Sequence, residues 1–360
     1  MSKFWSRIAG DLKPYTPGEQ PKLAGLVKLN TNENPFGPAP GVAQAIGSCS
    51  VENLRLYPDP DAVALREALA HEHGVAIDNI FVGNGSDEVL AHIFCALLKQ
   101  DLPILMPDIS YGFYRAYCLL YNVAHIDIPL DAEFRINVRD YARPCGGVIL
   151  ANPNAPTGIA ISIADIEYLL TLHAQRVVVI DEAYVDFGCD SAVSLLARCP
   201  NLLVVRTFSK SRGLAGIRVG YALGSAELIT GLNRVKNSFN SYPLSTLSMA
   251  AALASLSDEK YFLNSNAEII RLRQFVSAGL ERLGLTILPS LANFVFAAHP
   301  THPAATLMAG LRQRGVLVRH FGNARIENYL RISIGSESDC LALLRATQQV
   351  LDEVTQEPAL

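Results

Sequence analysis

A chain that switches repeatedly between short apolar runs and helical-period stretches can close only a few kinds of core. Here Ile80-Phe81-Val82, Pro103-Ile104-Leu105-Met106, Val123 to Ile128, Val148-Ile149-Leu150-Ala151, Val177-Val178-Val179-Ile180 and Leu202 to Val205 read as strands. Between them, Val89, Leu90, Ile93 and Leu97 recur at helical spacing, and Ile163 to Leu172 reads as another helix. Strands alternating with helices predict an α/β fold: a mostly parallel central sheet with helices on both faces. The runs lack polar alternation, which suits a sheet with no wet side. Such sheets bind ligands outside the carboxyl ends of their strands. Gly83, Asn152, Asp181 and Lys210 follow predicted strands and are therefore expected to converge.

The flanks break this rhythm. The first forty residues are rich in Pro, Gly and Asn and read as an extended arm. Lacking a core of its own, the arm needs another surface, such as the smaller unit or a partner subunit. We expect an arm over 1–40, a large unit over 41–246 and a smaller α+β unit over 247–360. The last should hold a helical stretch from Leu247 to Leu283, strands at 294–296, 315–319 and 329–334, and a final helix from about Ser338 to Val354.

Composition narrows the function classes. Half of the 360 residues are hydrophobic, enough for a large core. A net charge of −4 supplies no basic field for nucleic acid. No apolar run is long enough to span a bilayer, and the start, Met1 to Arg7, has no apolar signal core. The seven cysteines, Cys49, Cys95, Cys118, Cys145, Cys189, Cys199 and Cys340, form no Cys-x-x-Cys pair. They read as free thiols of a reducing cytoplasm. No metal is expected. The chain reads as a cytoplasmic protein acting on small molecules.

Several segments carry chemistry, each with a plainer reading beside it. Gly83-Asn84-Gly85-Ser86-Asp87 lies between a strand and a helix, where free N–H groups favour a phosphate; a capped glycine turn would look the same. Tyr111 is either a ring to stack on a flat ligand or a core aromatic. Asp181 is either a functional carboxylate or a helix cap. Asn152-Pro153-Asn154-Ala155-Pro156-Thr157-Gly158 is a turn held by two X-Pro steps. Arg331 sits between Leu330 and Ile332, and Arg319 ends a similar strand. Each offers a fork for a carboxylate or phosphate, or forms a structural ion pair. Lys210 lies in Thr207-Phe208-Ser209-Lys210-Ser211-Arg212-Gly213-Leu214-Ala215-Gly216-Ile217-Arg218. An Asp for a pyridinium nitrogen, then a lysine for a Schiff base, then an Arg for a phosphate point to pyridoxal phosphate.

These motifs, with Asp181-Glu182-Ala183-Tyr184 and Leu330-Arg331-Ile332-Ser333-Ile334-Gly335, resemble the fold-type I pyridoxal-phosphate aminotransferases. The arm segment Leu29-Asn30-Thr31-Asn32-Glu33-Asn34-Pro35, Tyr57-Pro58-Asp59 and Ser241-Tyr242-Pro243-Leu244-Ser245 make the chain most similar to the histidinol-phosphate aminotransferases. The resemblance runs from Leu29 to Arg331. It implies that Lys210 carries pyridoxal 5'-phosphate, with Asp181 at the ring nitrogen, Tyr184 at the ring oxygen and Tyr111 stacked on the ring. Gly85, Ser86, Asp87, Thr207, Ser209 and Arg218 would surround the phosphate, with Tyr57 arriving from the partner of a homodimer. Arg331 would hold the substrate's anionic group, with Arg319, Tyr15 and Tyr242 in the same pocket.

The family's turn is Asn-Pro-Asn-Asn-Pro-Thr-Gly, whose second adjacent asparagine meets the ring oxygen; here that residue is Ala155. Either Tyr184 holds the oxygen alone, or Asn152 or Asn154 approaches it differently. The implied reaction is a ping-pong transamination between L-histidinol phosphate and 2-oxoglutarate, in histidine biosynthesis, with Lys210 as acid–base. Threonine-phosphate decarboxylation and aromatic amino acid transamination use the same scaffold and stand as alternatives. A pyridoxal-phosphate-sensing regulator would carry a basic DNA-binding unit before the arm.

Overall fold

The computed structural model describes residues 2–14, 18–21 and 25–356. After a two-residue strand in the arm, β1 (Val27–Lys28), seven strands build the central sheet. They are β2 (Ile80–Asn84), β3 (Ile104–Pro107), β4 (His125–Ile128), β5 (Gly147–Ala151), β6 (Val178–Asp181), β7 (Leu202–Thr207) and β8 (Val219–Gly224). Their spatial order is β2-β8-β7-β6-β5-β3-β4. Every neighbouring pair is parallel except at β8, which runs antiparallel to both β7 and β2. The carboxyl ends of the other six strands therefore share one edge, as the sequence predicts.

Alternate residues of each strand feed different cores. Ile80, Val82, Val148, Leu150, Val178, Ile180, Leu202 and Val204 pack against the helices Val63–His73, Ile163–Leu172 and Thr246–Leu256. Phe81, Ile149, Val179, Leu203, Val205 and Ala222 pack against Gly85–Ile93, Phe113–Tyr121 and Ala226–Phe239. With both faces covered, the strands have no polar side, which is why they read as unbroken apolar runs. The edge strand β4 is the exception: His125 and Asp127 are exposed.

Strand β8 was not expected. Two glycines disguise it as part of the glycine-rich loop before it. A Cβ on Gly220 would sit 2.3 Å from the Ser86 backbone nitrogen, so the strand can pass the neighbouring helix start only with glycine there.

The second core surrounds an antiparallel sheet in the order β12-β13-β10-β9: β9 (Thr286–Ile287), β10 (Phe294–Ala298), β12 (Arg319–His320) and β13 (Tyr329–Ser333), with β11 (Val316–Leu317) elsewhere. Three expectations change here. The stretch Leu247 to Leu283 is two helices, Thr246–Leu256 and Glu259–Arg282; Asp258 caps the second by accepting from the Tyr261 N–H at 3.0 Å. The first of them packs on the central sheet and the second on the smaller core. Residues 315–319 are not one strand, since β11 pairs with β1 in the arm while β12 pairs with β13. The arm is thus not simply extended: it holds a short helix, Arg7–Asp11, and buries Leu29 in the second core.

Candidate active site

The strand ends at the shared edge surround one cavity. Ser86, Asp87, Tyr111, Ala151, Ala155, Asp181, Ala183, Tyr184, Thr207, Ser209, Lys210 and Arg218 line it. Asp181 is the last residue of β6, Thr207 ends β7, and Gly85 opens the helix after β2.

Asp181 is 4% exposed. Tyr114 Oη donates to Asp181 Oδ2 at 2.8 Å, and the Ala183 N–H donates to Oδ1 at 3.2 Å. Burial pushes its carboxyl up to about 6, against the pull of these two donors. Among the described residues no cation is paired with it. Its neighbour Glu182 is pushed up to about 7 by burial, against Arg206, Ser191 and the Ala192 N–H. Ser191 Oγ and the Ala192 N–H donate to Glu182 at 2.7 and 2.6 Å.

The Lys210 loop is held from two sides. Asn34 Nδ2, from the arm, donates to the carbonyls of Lys210 and Ser211 at 2.9 and 3.2 Å. Ser211 Oγ donates to Asp186, which is ion-paired with Arg206. Lys210 Nζ donates to the Thr31 carbonyl at 3.3 Å and lies 5.8 Å from the centre of the Tyr184 ring. Tyr184 Oη accepts from Asn32 Nδ2 at 3.0 Å.

At the opposite end, the backbone is shaped around one guanidinium. Gly85 has φ 76°, and a Cβ there would lie 2.4 Å from Arg218 Nη2. Arg218 itself is left-handed, with φ 57°, a conformation that costs energy for a non-glycine residue and clusters at functional sites. Its guanidinium donates to Asp87 at 3.1 Å, the Ala215 carbonyl at 3.3 Å and Ser209 Oγ at 3.5 Å. Tyr111 Oη also donates to Asp87, at 2.9 Å. Free N–H groups of the helix start, two hydroxyl-bearing strand-end residues and a cation meet here, which suits a phosphate.

A wider chamber, about 300 Å³ against about 120 Å³, adjoins the cavity and shares Tyr111, Ala155 and Tyr184 with it. Arg115, Arg319 and Arg331 line it, so it favours anions. Arg331 lies on β13 with its guanidinium 5.5 Å from the Phe294 ring and 5.6 Å from the Phe321 ring, and donates to the Asn30 carbonyl at 3.1 Å.

Residues 24–346 match the family model of the class I and II aminotransferases. The chain belongs to that family. A histidinol-phosphate aminotransferase of Gluconacetobacter diazotrophicus is 55% identical over 98% of this chain and 99% of its own length. Histidinol-phosphate aminotransferase 1 of Pseudomonas aeruginosa is 56% identical over 96% and 99%. Among solved structures, a histidinol-phosphate aminotransferase from Sinorhizobium meliloti in complex with pyridoxal-5'-phosphate has a TM-score of 0.87 at 24% identity, covering 98% and 99% of the two chains. That last likeness speaks for the fold.

In this aminotransferase the structure brings together Gly85, Ser86, Asp87, Tyr111, Asp181, Tyr184, Thr207, Ser209, Lys210 and Arg218, and sets Arg319 and Arg331 beside them. Asp87 lines the cavity beside Ser86, and its carboxylate accepts from Arg218 and Tyr111. Asn154 is not on the wall. Its Nδ2 donates to the Ile109 carbonyl and Thr157 Oγ1, and its Oδ1 accepts from Ser110, so its side chain ties the turn to the segment at Ile109 and Ser110. Asn152 is likewise engaged, accepting from the Ile161 N–H and donating to Cys189. Tyr57 is 82% exposed and stacks on Tyr242 at 4.6 Å, so neither tyrosine lines the cavity of its own chain. Tyr15 lies outside the described residues. Sequence reasoning missed the roles of Tyr114, Asn32 and Asn34. The asparagines did carry a signal: Asn30, Asn32 and Asn34 stand at alternate positions of the arm.

Proposed function

We propose that this aminotransferase moves an amino group between L-histidinol phosphate and 2-oxoglutarate, giving imidazole-acetol phosphate and glutamate, with pyridoxal 5'-phosphate as resident cofactor. The observation that carries this is Asp181, a buried carboxylate raised by burial and facing a cavity that also holds Lys210. Asp181 would pair with the protonated ring nitrogen of the cofactor. The rest of the wall suits the cofactor: Arg218, Ser86, Thr207, Ser209 and the helix start after Gly85 would hold its phosphate, and Tyr111 would cover its ring. When bound, pyridoxal phosphate supplies an electron sink for the substrate Cα.

The chain's own groups do the remainder. Asp181 would keep the ring nitrogen protonated. Lys210 Nζ, steered by the Thr31 carbonyl, carries a proton to and from the substrate as a general acid–base. Arg331, with Arg319 beside it, holds the carboxylate of glutamate in one half-reaction and the phosphate of histidinol phosphate in the other. Relatives about 55% identical over nearly the whole chain support this donor over threonine phosphate and aromatic amino acids.

We also infer a cytoplasmic homodimer. Among the described residues no helix is long and apolar enough to cross a membrane. Val51, Leu56, Tyr57 and Phe239 are exposed apolar side chains of the large unit, a composition that suits a partner subunit. Tyr57 is proposed to reach the partner's cofactor phosphate.

The test is a donor screen with histidinol phosphate, phenylalanine and threonine phosphate, following glutamate and carbon dioxide. Histidinol phosphate is expected to give the largest kcat/KM, with no carbon dioxide. Carbon dioxide from threonine phosphate as the faster reaction overturns the reading. Lys210→Ala is expected to lower turnover by at least about 10³-fold while cofactor still binds.

A further inference from the structure

The arm decides which way the Tyr184 hydroxyl points. Asn32 has φ 56° and is 1% exposed; asparagine tolerates this left-handed backbone better than most residues. Its N–H donates to Ser333 Oγ at 2.8 Å, and Ser333 Oγ donates to Asn32 Oδ1 at 2.9 Å. Asn293 Nδ2 donates to the Asn32 carbonyl at 3.1 Å. A hydroxyl that already accepts a backbone N–H has its own proton to give, so the amide oxygen is the atom that faces Ser333. The amide nitrogen then faces Tyr184 and donates to Oη at 3.0 Å.

A tyrosine oxygen that accepts from Asn32 keeps its proton for another partner, and Tyr184 lines the cavity. Ala155 lines the same cavity and has no polar side-chain atom to offer. It packs with Ala292, Phe294 and Tyr184, and the Tyr184 ring stands edge-on to Phe294 at 5.1 Å and 89°. The ring is therefore fixed by packing and the hydroxyl by one amide.

We infer that Asn32 is a positioning residue: by donating to Tyr184 Oη it commits the tyrosine proton to the cavity, making Tyr184 the donor to the cofactor's ring oxygen that Ala155 is not. This rests on the cofactor reading above. The expected consequence is electronic. A hydrogen bond to the ring oxygen stabilises its anionic form and lowers the pH at which the lysine-bound cofactor loses its proton.

The test is a pH titration of the visible absorbance of the reconstituted holoenzyme, with cofactor Kd measured alongside. Tyr184→Phe is expected to raise the titration midpoint by about one pH unit or more, the loss of one charge-assisted hydrogen bond. Asn32→Asp keeps the size but turns the donor into an acceptor for the tyrosine proton, and is expected to raise the midpoint by about the same amount. In the Tyr184→Phe background it retains only the longer-range effect of its charge, under about a third of that rise. Asn32→Gly suits the left-handed backbone, removes the amide, and is expected to give a smaller rise that vanishes without the tyrosine hydroxyl. The other charged groups around the cavity, Lys210, Asp181, Asp87, Arg218 and the adjoining Arg331, are unchanged throughout.

Equal shifts in both backgrounds, or no shift from either Asn32 variant while Tyr184→Phe shifts, overturns the inference. A purely structural Asn32 would lower thermal stability and leave the midpoint in place. A wild-type protein with no lysine-bound absorbance, or a Tyr184→Phe variant with an unmoved midpoint, overturns the reading beneath it instead.

Discussion

Asp181 and Glu182 are consecutive, both buried, both acidic and both pushed above the usual carboxylate range by burial, yet they live in different environments. Glu182 is closed in: Ser191, the Ala192 N–H and the nearby Arg206 satisfy it, and Arg206 is itself tied to Asp186. Asp181 faces a cavity and has two donors but, among the described residues, no paired cation. A buried charge with its partners in place is structure; a buried charge left short of one is a site. Strand geometry produces the contrast, because adjacent residues at a strand end point to opposite sides.

The comparison can be attacked through both residues. The largest effect is expected from Asp181→Asn, which removes the counter-charge for the ring nitrogen. Turnover should fall by on the order of 10²-fold or more, since a nearby opposite charge is worth 1–3 pKa units. Glu182→Gln should act on stability instead. Denaturant melts should show a loss of about 1–3 kcal/mol, because an amide NH2 replaces one of the two oxygens that accept from Ser191 Oγ and the Ala192 N–H and leaves a buried donor unpaired, with kcat changed less than about threefold. If Glu182→Gln inactivates as strongly as Asp181→Asn, the division of labour is wrong.

The smallest effect concerns pH. The Asp181 carboxyl is held at about 6 in the fold against 3.8 as its ordinary value. The fold therefore penalises its ionised form. That penalty is absent below about pH 4, grows as pH rises towards 6, and is complete above it. Cofactor-free Asp181→Asn should then melt about 2–4 °C above the cofactor-free wild type at pH 8, a gap that closes by pH 4. A gap that widens on acidification would contradict the sign.

Much of this was legible because apolar runs and motif order survive in one dimension. The parallel sheet, the shared edge and the Lys210, Asp181 and Arg218 constellation all follow from residues read along the chain. Strand β8 did not, since Gly220 answers to a backbone packed against it rather than to strand propensity. The split of 315–319 between two sheets was hidden too, because β11 chooses a partner nearly three hundred residues earlier. Asn154 shows the converse. Its motif position points to the cofactor, while its hydrogen bonds are already used by Ile109, Ser110 and Thr157. Only three-dimensional accounting of donors and acceptors separates such a residue from a ligand.

The arm's grip on the Lys210 loop has a consequence for the order of assembly. Asn34 reaches across 176 positions to the Lys210 carbonyl, and Asn32 across 301 to Ser333. The first needs the Lys210 loop of the central sheet to receive it and the second needs β13 of the smaller sheet, and contacts of long sequence separation are slow to be won. The arm therefore bridges both sheets at residues remote from it in sequence. The Lys210 loop thus takes its final shape only where the arm is docked, which couples the lysine's placement to the seating of a segment 176 positions before it.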